Sequence, residues 1–395
     1  MTENTKCELP VPSQPLFQLV PRFRPDVDGL GEFALRLGDE LWKQTGIPSH
    51  FIVWLKPRSG GELEVDRAED FPHQITYVSS DTVFSGTPKG LERELERIAS
   101  QNHQPIILLH FTSYAFSKEG IAWWLPGILR RFVSRGGRVA CFFHELYAKG
   151  RFPNKTWFSS GLQRRIFREI LALSTVAISS NEEYVQIMHR SNLRQRPVIL
   201  AAIGSNVGEL LAPRPISERS RRMAIFGVYT SRKWFYEQHL PLLCTLIDRL
   251  GVEEVADIGT IGDAQQVLSW AGEKMGGRLH VYGALPASEV SRLLADSMFG
   301  AVNYDASLRS KSGIIAAYQA HGVPTILFTP VGHAPTQAVT SDALTVEQAL
   351  AIPSSELRLR LEQTAAAGHE YYQRVRSYAA ILRQILPWIK PSIES

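Results

Sequence analysis

The chain has 395 residues, 44% of them apolar and 21% charged, with 43 Lys and Arg against 39 Asp and Glu. That composition excludes a disordered chain, a collagen, a coiled coil and a disulfide scaffold, and supplies material for two domains with their own cores. The net charge of +4 is unevenly spread: residues 118–168 hold 11 basic and 2 acidic side chains, while 18 of each cancel from residue 206 onward.

A basic stretch of this kind either attracts phosphates or anionic lipid or forms solvated helix faces. It carries Trp123, Trp124 and Phe132, so contact with a membrane surface and burial on an ordinary helix are both open. It contains no recognised nucleic-acid-binding module, so no nucleic-acid partner is expected. Cys7, Cys141 and Cys244 form an odd, sparse set without C-x-x-C, which points to a reducing compartment and no structural zinc. No signal peptide and no run of about 18 apolar residues is visible. The expectation is a cytoplasmic protein, with the inner face of the plasma membrane as one possible station.

Short apolar runs alternate with longer amphipathic segments along the whole chain. The pattern predicts strands over 17–20, 51–55, 106–110, 138–144, 175–179 and 197–202. Helices are predicted between them over 31–44, 88–101, 120–135, 161–173 and 182–190. The stretch 204–222, with Ser205, Asn206, Gly208, Pro213 and Pro215, reads as a linker. The alternation then restarts: strands over 222–227, 254–258, 279–283, 300–303 and 324–328, helices over 234–249, 264–275, 287–296 and 312–321, and a helical tail over 354–389. Most strands are apolar without alternation, as in parallel sheets covered on both faces. The expected fold class is therefore α/β, with two Rossmann-like domains facing across a cleft. The expected division is 1–205, 206–370 and a C-terminal helix, 371–395.

Ligands of open α/β sheets lie beyond the carboxyl ends of the strands, so four loops matter. Asp28-Gly29-Leu30-Gly31-Glu32-Phe33-Ala34 enters a helix, where glycines let backbone approach a ligand and helix N–H groups face an anion. It also fits a dinucleotide fingerprint, but Pro21 and Pro25 lengthen the turn, and Lys56 and Arg58 stand where an acid should hold a ribose. His144-Glu145 follows a strong apolar strand and offers a hydrogen-bonding pair for catalysis. Gly227-Val228-Tyr229-Thr230-Ser231-Arg232-Lys233 follows another strand with two cations suited to a diphosphate. Arg309-Ser310-Lys311-Ser312-Gly313 opens a small-residue helix, joining cation, hydroxyl and helix dipole; it is not a P-loop.

These loops, in this order over about residues 17–330, resemble the two-domain GT-B glycosyltransferases, and most closely the retaining glycosyltransferase family 4. Pro25 with Gly29–Gly31 matches the family's glycine loop, and His144 its strand-terminal histidine. Ala177-Ile178-Ser179-Ser180-Asn181-Glu182 is similar to its Ser-rich helix start, and Ile203–Val207 to its linker. Gly227 with Lys233 matches the start of its second domain, and Ala320, Gly322 and Pro324 its A-x-G-x-P. Val228 replaces the family's Arg, and E-x7-E reads Arg309-x7-Ala317.

The resemblance implies an acceptor-binding first domain, a nucleotide-sugar-binding second domain and a last helix that returns to the first. It implies transfer of a hexose, by family base rate glucose from UDP-glucose, to a glycan or lipid-linked sugar in cell-envelope or exopolysaccharide synthesis. The anomeric configuration is retained by front-face attack, without a metal or other cofactor. On this reading His144 and Glu145 serve catalysis. Gly29 and Gly31 approach the leaving phosphate, and Tyr282, Ala284 and Leu285 meet the base. Arg232, Lys233, Arg309, Lys311, Ser312 and Gly313 hold the diphosphate. The alternatives are a decayed nucleotide-sugar-binding protein, which the loss of E-x7-E favours, and a UDP-sugar 2-epimerase.

Overall fold

The computed structural model describes residues 14–23, 29–56, 71–79, 88–148, 155–192, 194–332 and 341–391. Cys7, Pro25, Asp28, Arg58 and the 149–154 part of the basic stretch lie outside the described residues. The chain divides into two compact units, 1–201 with 382–395, and 202–381.

In the first unit the chain runs β1 (Leu16–Val20), α1 (Gly29–Thr45), β2 (Ser49–Val53), β3 (Gln74–Tyr77), α2 (Lys89–Gln101), β4 (Ile106–Phe111) and α3 (Leu125–Ser134). It continues through β5 (Arg138–Phe143), α4 (Lys155–Leu173), β6 (Val176–Ser179), α5 (Glu182–Ser191) and β7 (Val198–Leu200). Among the described residues these strands form one sheet in the order β3-β2-β1-β4-β5-β6-β7, every pair parallel. β1, β2, β4 and β6 are buried at every position, which is why they read as largely apolar runs, with Gln18, Ser49, His50, His110 and Ser179 the buried polar exceptions. In contrast α2 buries only Leu91, Leu95 and Ile98, one stripe of a helix with a solvated outer face. Asn181 starts α5 by accepting from Tyr184 N.

The second unit runs β8 (Ser220–Phe226), α6 (Tyr229–Leu250), β9 (Glu254–Ile258), α7 (Gln265–Lys274), β10 (Leu279–Gly283), α8 (Ala287–Ala295) and β11 (Ser297–Asn303). A 3-10 turn (Ala306–Lys311), α9 (Gly313–Ala320), β12 (Thr325–Phe328), β13 (Leu344–Thr345), α10 (Val346–Ala351) and α11 (Ser354–Tyr371) follow. Its sheet order is β10-β9-β8-β11-β12-β13, again parallel throughout. A π-helical segment, Tyr372–Arg376, separates α11 from α12 (Tyr378–Ile389). The unit boundary falls inside α12, at Ile381 and Leu382.

All eleven expected strands are present. β3 and β13 were not expected: β3 is an edge strand of partly exposed Gln, Ile, Thr and Tyr, and β13 has two residues. The helix expected over 120–135 starts only at Leu125, because Gly120 takes φ +73 and the chain before it is turns. Among the described residues no helix is long and apolar enough to cross a membrane.

Candidate functional site

In each sheet the strand order reverses between the first strand of the unit and the fourth. Loops leave in opposite directions at the β1–β4 and β8–β11 pairs, and ligands of doubly wound folds settle beyond the carboxyl ends there.

In the second unit that place is built by Gly227 and the start of α9. Gly227 has φ +146, which a side chain tolerates poorly, and a Cβ there would come within 2.7 Å of Ile314 in the first turn of α9. The bare backbone after β8 therefore lies against the Ile314 side chain in the first turn of α9. Ser312 caps α9 by accepting from Ile315 N at 3.2 Å and is 3% exposed. A Cβ on Gly313 would meet nothing within 4 Å, so there is open space beside this first residue of α9. Lys311 precedes the cap. The ring of Tyr318 is fully buried, its one hydroxyl proton within reach of the Ala224 and Ala301 carbonyls at 2.9 and 3.2 Å, which pins α9 across β8 and β11.

Arg232 is a correction. It is 2% exposed and ion-paired with Asp257, itself fully buried, and it also donates to the Gly227 and Thr260 carbonyls. Tyr236 donates to the other oxygen of Asp257 at 2.8 Å. Burial outweighs these partners and still pushes the Asp257 carboxyl up. A guanidinium 2% exposed and bound to a buried carboxylate and two carbonyls is turned inward, not presented to a diphosphate; it ties the β8 and β9 loops together.

Lys233 pairs with Asp263 at 3.0 Å, and Arg309 with Asp342 at 3.3 Å, so their charges are partly answered within the unit. Asp342 also accepts from Gln319 Nε2 at 2.8 Å. Tyr282 donates to Glu254 at 2.7 Å, a residue at the amino end of β9, which commits its hydroxyl along the exposed edge of the sheet. Ala284 and Leu285 lie between β10 and α8, with Leu285 packed on the core of this unit. Ala317, at the position of the second Glu of E-x7-E, is fully buried.

Arg376, in the π segment, was not singled out from sequence. It is 1% exposed and donates to the Ser312 carbonyl at 2.7 Å, the Ile203 carbonyl at 3.0 Å and Gln319 Oε1 at 3.0 Å. Desolvation pushes its pKa down to about 10, leaving it charged at neutral pH. A positive charge thus sits under the α9 start, 64 residues away in the chain, where no local pattern could reveal it.

In the first unit, α1 can start where it does because Gly31 has no side chain: a Cβ would lie 2.5 Å from the Arg22 carbonyl. Gly29 is the first residue of α1. Phe33, in its first turn, meets the His144 ring edge-on at 5.4 Å. His144 also stacks on Phe142 at 4.5 Å and lies 3.3 Å from His110 through Nε2. The glycine loop and His144 are therefore neighbours. Glu145 is exposed, with Thr112 Oγ1 donating to it at 3.5 Å. The loops after β4 and β5 are joined by Ser113 Oγ donating to the Leu146 carbonyl at 2.9 Å.

Among the described residues, four arginines of the basic stretch are ion-paired. Arg130 and Arg165 pair with Glu169, Arg131 with Glu92 and Arg135 with Glu96. Trp124 packs on buried Trp54 at 4.8 Å, whereas Trp123 is 77% exposed. A cavity of about 480 Å³ lined by Arg168, Leu171, Arg190 and Arg194 lies elsewhere, where α4 and α5 end.

No protein-family model matches the sequence, and no curated protein matches it. Solved structures match the fold over almost the whole chain. A sucrose-phosphate synthase from Thermosynechococcus elongatus superposes with a TM-score of 0.63 at 11% identity, over 95% of this chain and 98% of that one. The pneumococcal O-GlcNAc transferase GtfA, solved with UDP and GlcNAc, gives 0.60 at 7% identity, over 95% and 98%. A UDP-N-acetylglucosamine 2-epimerase gives 0.55 at 14% identity, over 94% and 95%. Two parallel, doubly wound units in one order, matched end to end by such structures, give this chain the fold of the GT-B glycosyltransferases.

Proposed function

We propose that the chain is a hexosyltransferase that moves a sugar from a UDP-sugar donor to a hydroxyl of a glycan or lipid-linked saccharide. The observation that carries this reading is the bare Gly227 backbone set against the Ser312-capped start of α9, beyond the carboxyl ends of β8 and β11. Free N–H groups, the helix dipole, Lys311 and the buried charge of Arg376 suit a diphosphate and can neutralise it as it leaves. Of the fold neighbours named above, one is named for a UDP-sugar and another was solved with UDP and GlcNAc.

On the family resemblance the donor is UDP-glucose, the reaction retains configuration, no metal is needed, and the role is in cell-envelope or exopolysaccharide synthesis. In that reaction the acceptor oxygen bonds to the anomeric carbon as the bond to the diphosphate breaks. The hydroxyl proton passes to a diphosphate oxygen. On the same resemblance His144 and Glu145 serve catalysis, and water exclusion protects the donor.

A thermal-shift panel of UDP, GDP, ADP and their sugars tests the donor, with stabilisation by the uridine compounds expected. Consumption of UDP-glucose with a saccharide acceptor then tests turnover. Lys311→Ala should weaken UDP binding by about 1–3 kcal/mol; unchanged affinity by calorimetry removes it from the site. His144→Ala should lower kcat while leaving UDP affinity near wild type. Arg309 and Ala317 in place of two carboxylates favour a second reading, a binding protein without turnover. UDP binding without any sugar transfer would select it, and interconversion of UDP-sugar epimers would select the epimerase.

A further inference from the structure

Gln18 stands at the centre of β1 with no solvent exposure. Its amide nitrogen donates to the Ala34 carbonyl at 3.3 Å and to Ser49 Oγ at 2.9 Å. A carbonyl only accepts, so the nitrogen end of this amide is fixed on that side. The oxygen end faces His110 Nε2 at 2.9 Å. An amide oxygen also only accepts, so the His110 proton is on Nε2.

His110 is fully buried among Phe33, Phe142 and His144, with ring centroids 5.9, 6.3 and 5.6 Å away. Burial drives its pKa down to about 3, so the ring is neutral and Nδ1 holds a lone pair. That lone pair meets His144 Nε2 at 3.3 Å. Two acceptors cannot share a hydrogen bond, so His144 must be the donor.

We propose that Gln18 and His110 are positioning residues that hold His144 in the tautomer protonated on Nε2, making Nδ1 its acceptor atom. The direction of every bond follows from the Ala34 carbonyl outward. The inference rests on the proposed function only for its use: a His144 of this form accepts a hydrogen bond, or a proton, from a sugar hydroxyl and does not donate to one from Nε2.

Long-range proton–nitrogen NMR on the full chain with isotope-labelled histidine reads the tautomer directly, and the His144→Gln spectrum assigns the signal. The expected result is a protonated Nε2 and a bare Nδ1 on both His144 and His110. His110→Asn keeps an acceptor near the position of Nδ1 and should preserve the His144 tautomer. His110→Phe removes it and should shift His144 toward the Nδ1-protonated form. A wild-type His144 protonated on Nδ1, or a His110→Phe protein with an unchanged tautomer, overturns the proposal. The spectra need no turnover, so they stand apart from the outcome of the transferase assay.

Discussion

His110 and Arg232 are buried polar residues whose cost can be tested one at a time. The His110 ring titrates near its ordinary value of 6.5 when unfolded and at about 3 when folded. Between those values the unfolded chain binds a proton that the folded chain lacks, so stability is lost as pH falls from about 6.5 toward 3. The slope from this ring is at most about 1.4 kcal/mol per pH unit. His50, lowered by burial, acts in the same direction. Denaturant midpoints at pH 5 and pH 7 should therefore differ more in the wild type than in His110→Asn. Arg232→Met leaves the Asp257 carboxyl buried with only Tyr236 as partner, at a cost of about 3–5 kcal/mol. Pairing it with Asp257→Asn should recover much of that loss, read as the unfolding midpoint in urea. Arg232 was legible as a cation beside a strand end. Its partner, 25 residues away on the next strand, was not, because an ion pair across strands leaves no spacing signature.

The informative element is α9 with the segment that braces it. Its amphipathic signal is absent, since six of its eight residues are buried, yet Ser312 marks its start because a Ser hydroxyl caps free N–H groups. Ser312→Ala should cost about 1 kcal/mol in unfolding. Arg376 anchors the same helix start from the π segment, and such segments gather at functional sites. Arg376→Met leaves the Ile203 carbonyl and Gln319 Oε1 without this donor, each worth about 1–3 kcal/mol, while the Ser312 carbonyl keeps Ala316 N. If that bracing shapes the diphosphate site, UDP affinity should fall further in Arg376→Met than in an equally destabilising core variant of the first unit. Calorimetry on both variants checks this.

For the whole molecule, each unit is a single parallel sheet wound in both directions from its first strand. The last helix joins them in the chain: α12 starts in the second unit and its residues from Leu382 belong to the first. Leu382, Ile385 and Ile389 are fully buried, and Arg138 donates to the Lys390 carbonyl at 3.2 Å. A chain ending at Ser377 loses that apolar surface from the first unit. Calorimetric scanning should show its first-unit transition well below that of the full chain, and a chain ending at Pro391 should match the wild type.

The alternation of strands and helices, the break near residue 205 and the loops that end at His144, Gly227 and Ser312 were determined by the sequence alone. Parallel strands buried on both faces are mostly apolar, and turns and caps need Gly, Pro and Ser at set places. Only the tertiary structure decided which charges answer one another. Arg232 turned inward to Asp257, Arg376 moved beneath α9, and Gln18 passed its bond direction through His110 to His144. Those pairings depend on distances across strands and between helices, and a burial penalty is felt only once the chain has closed around the group.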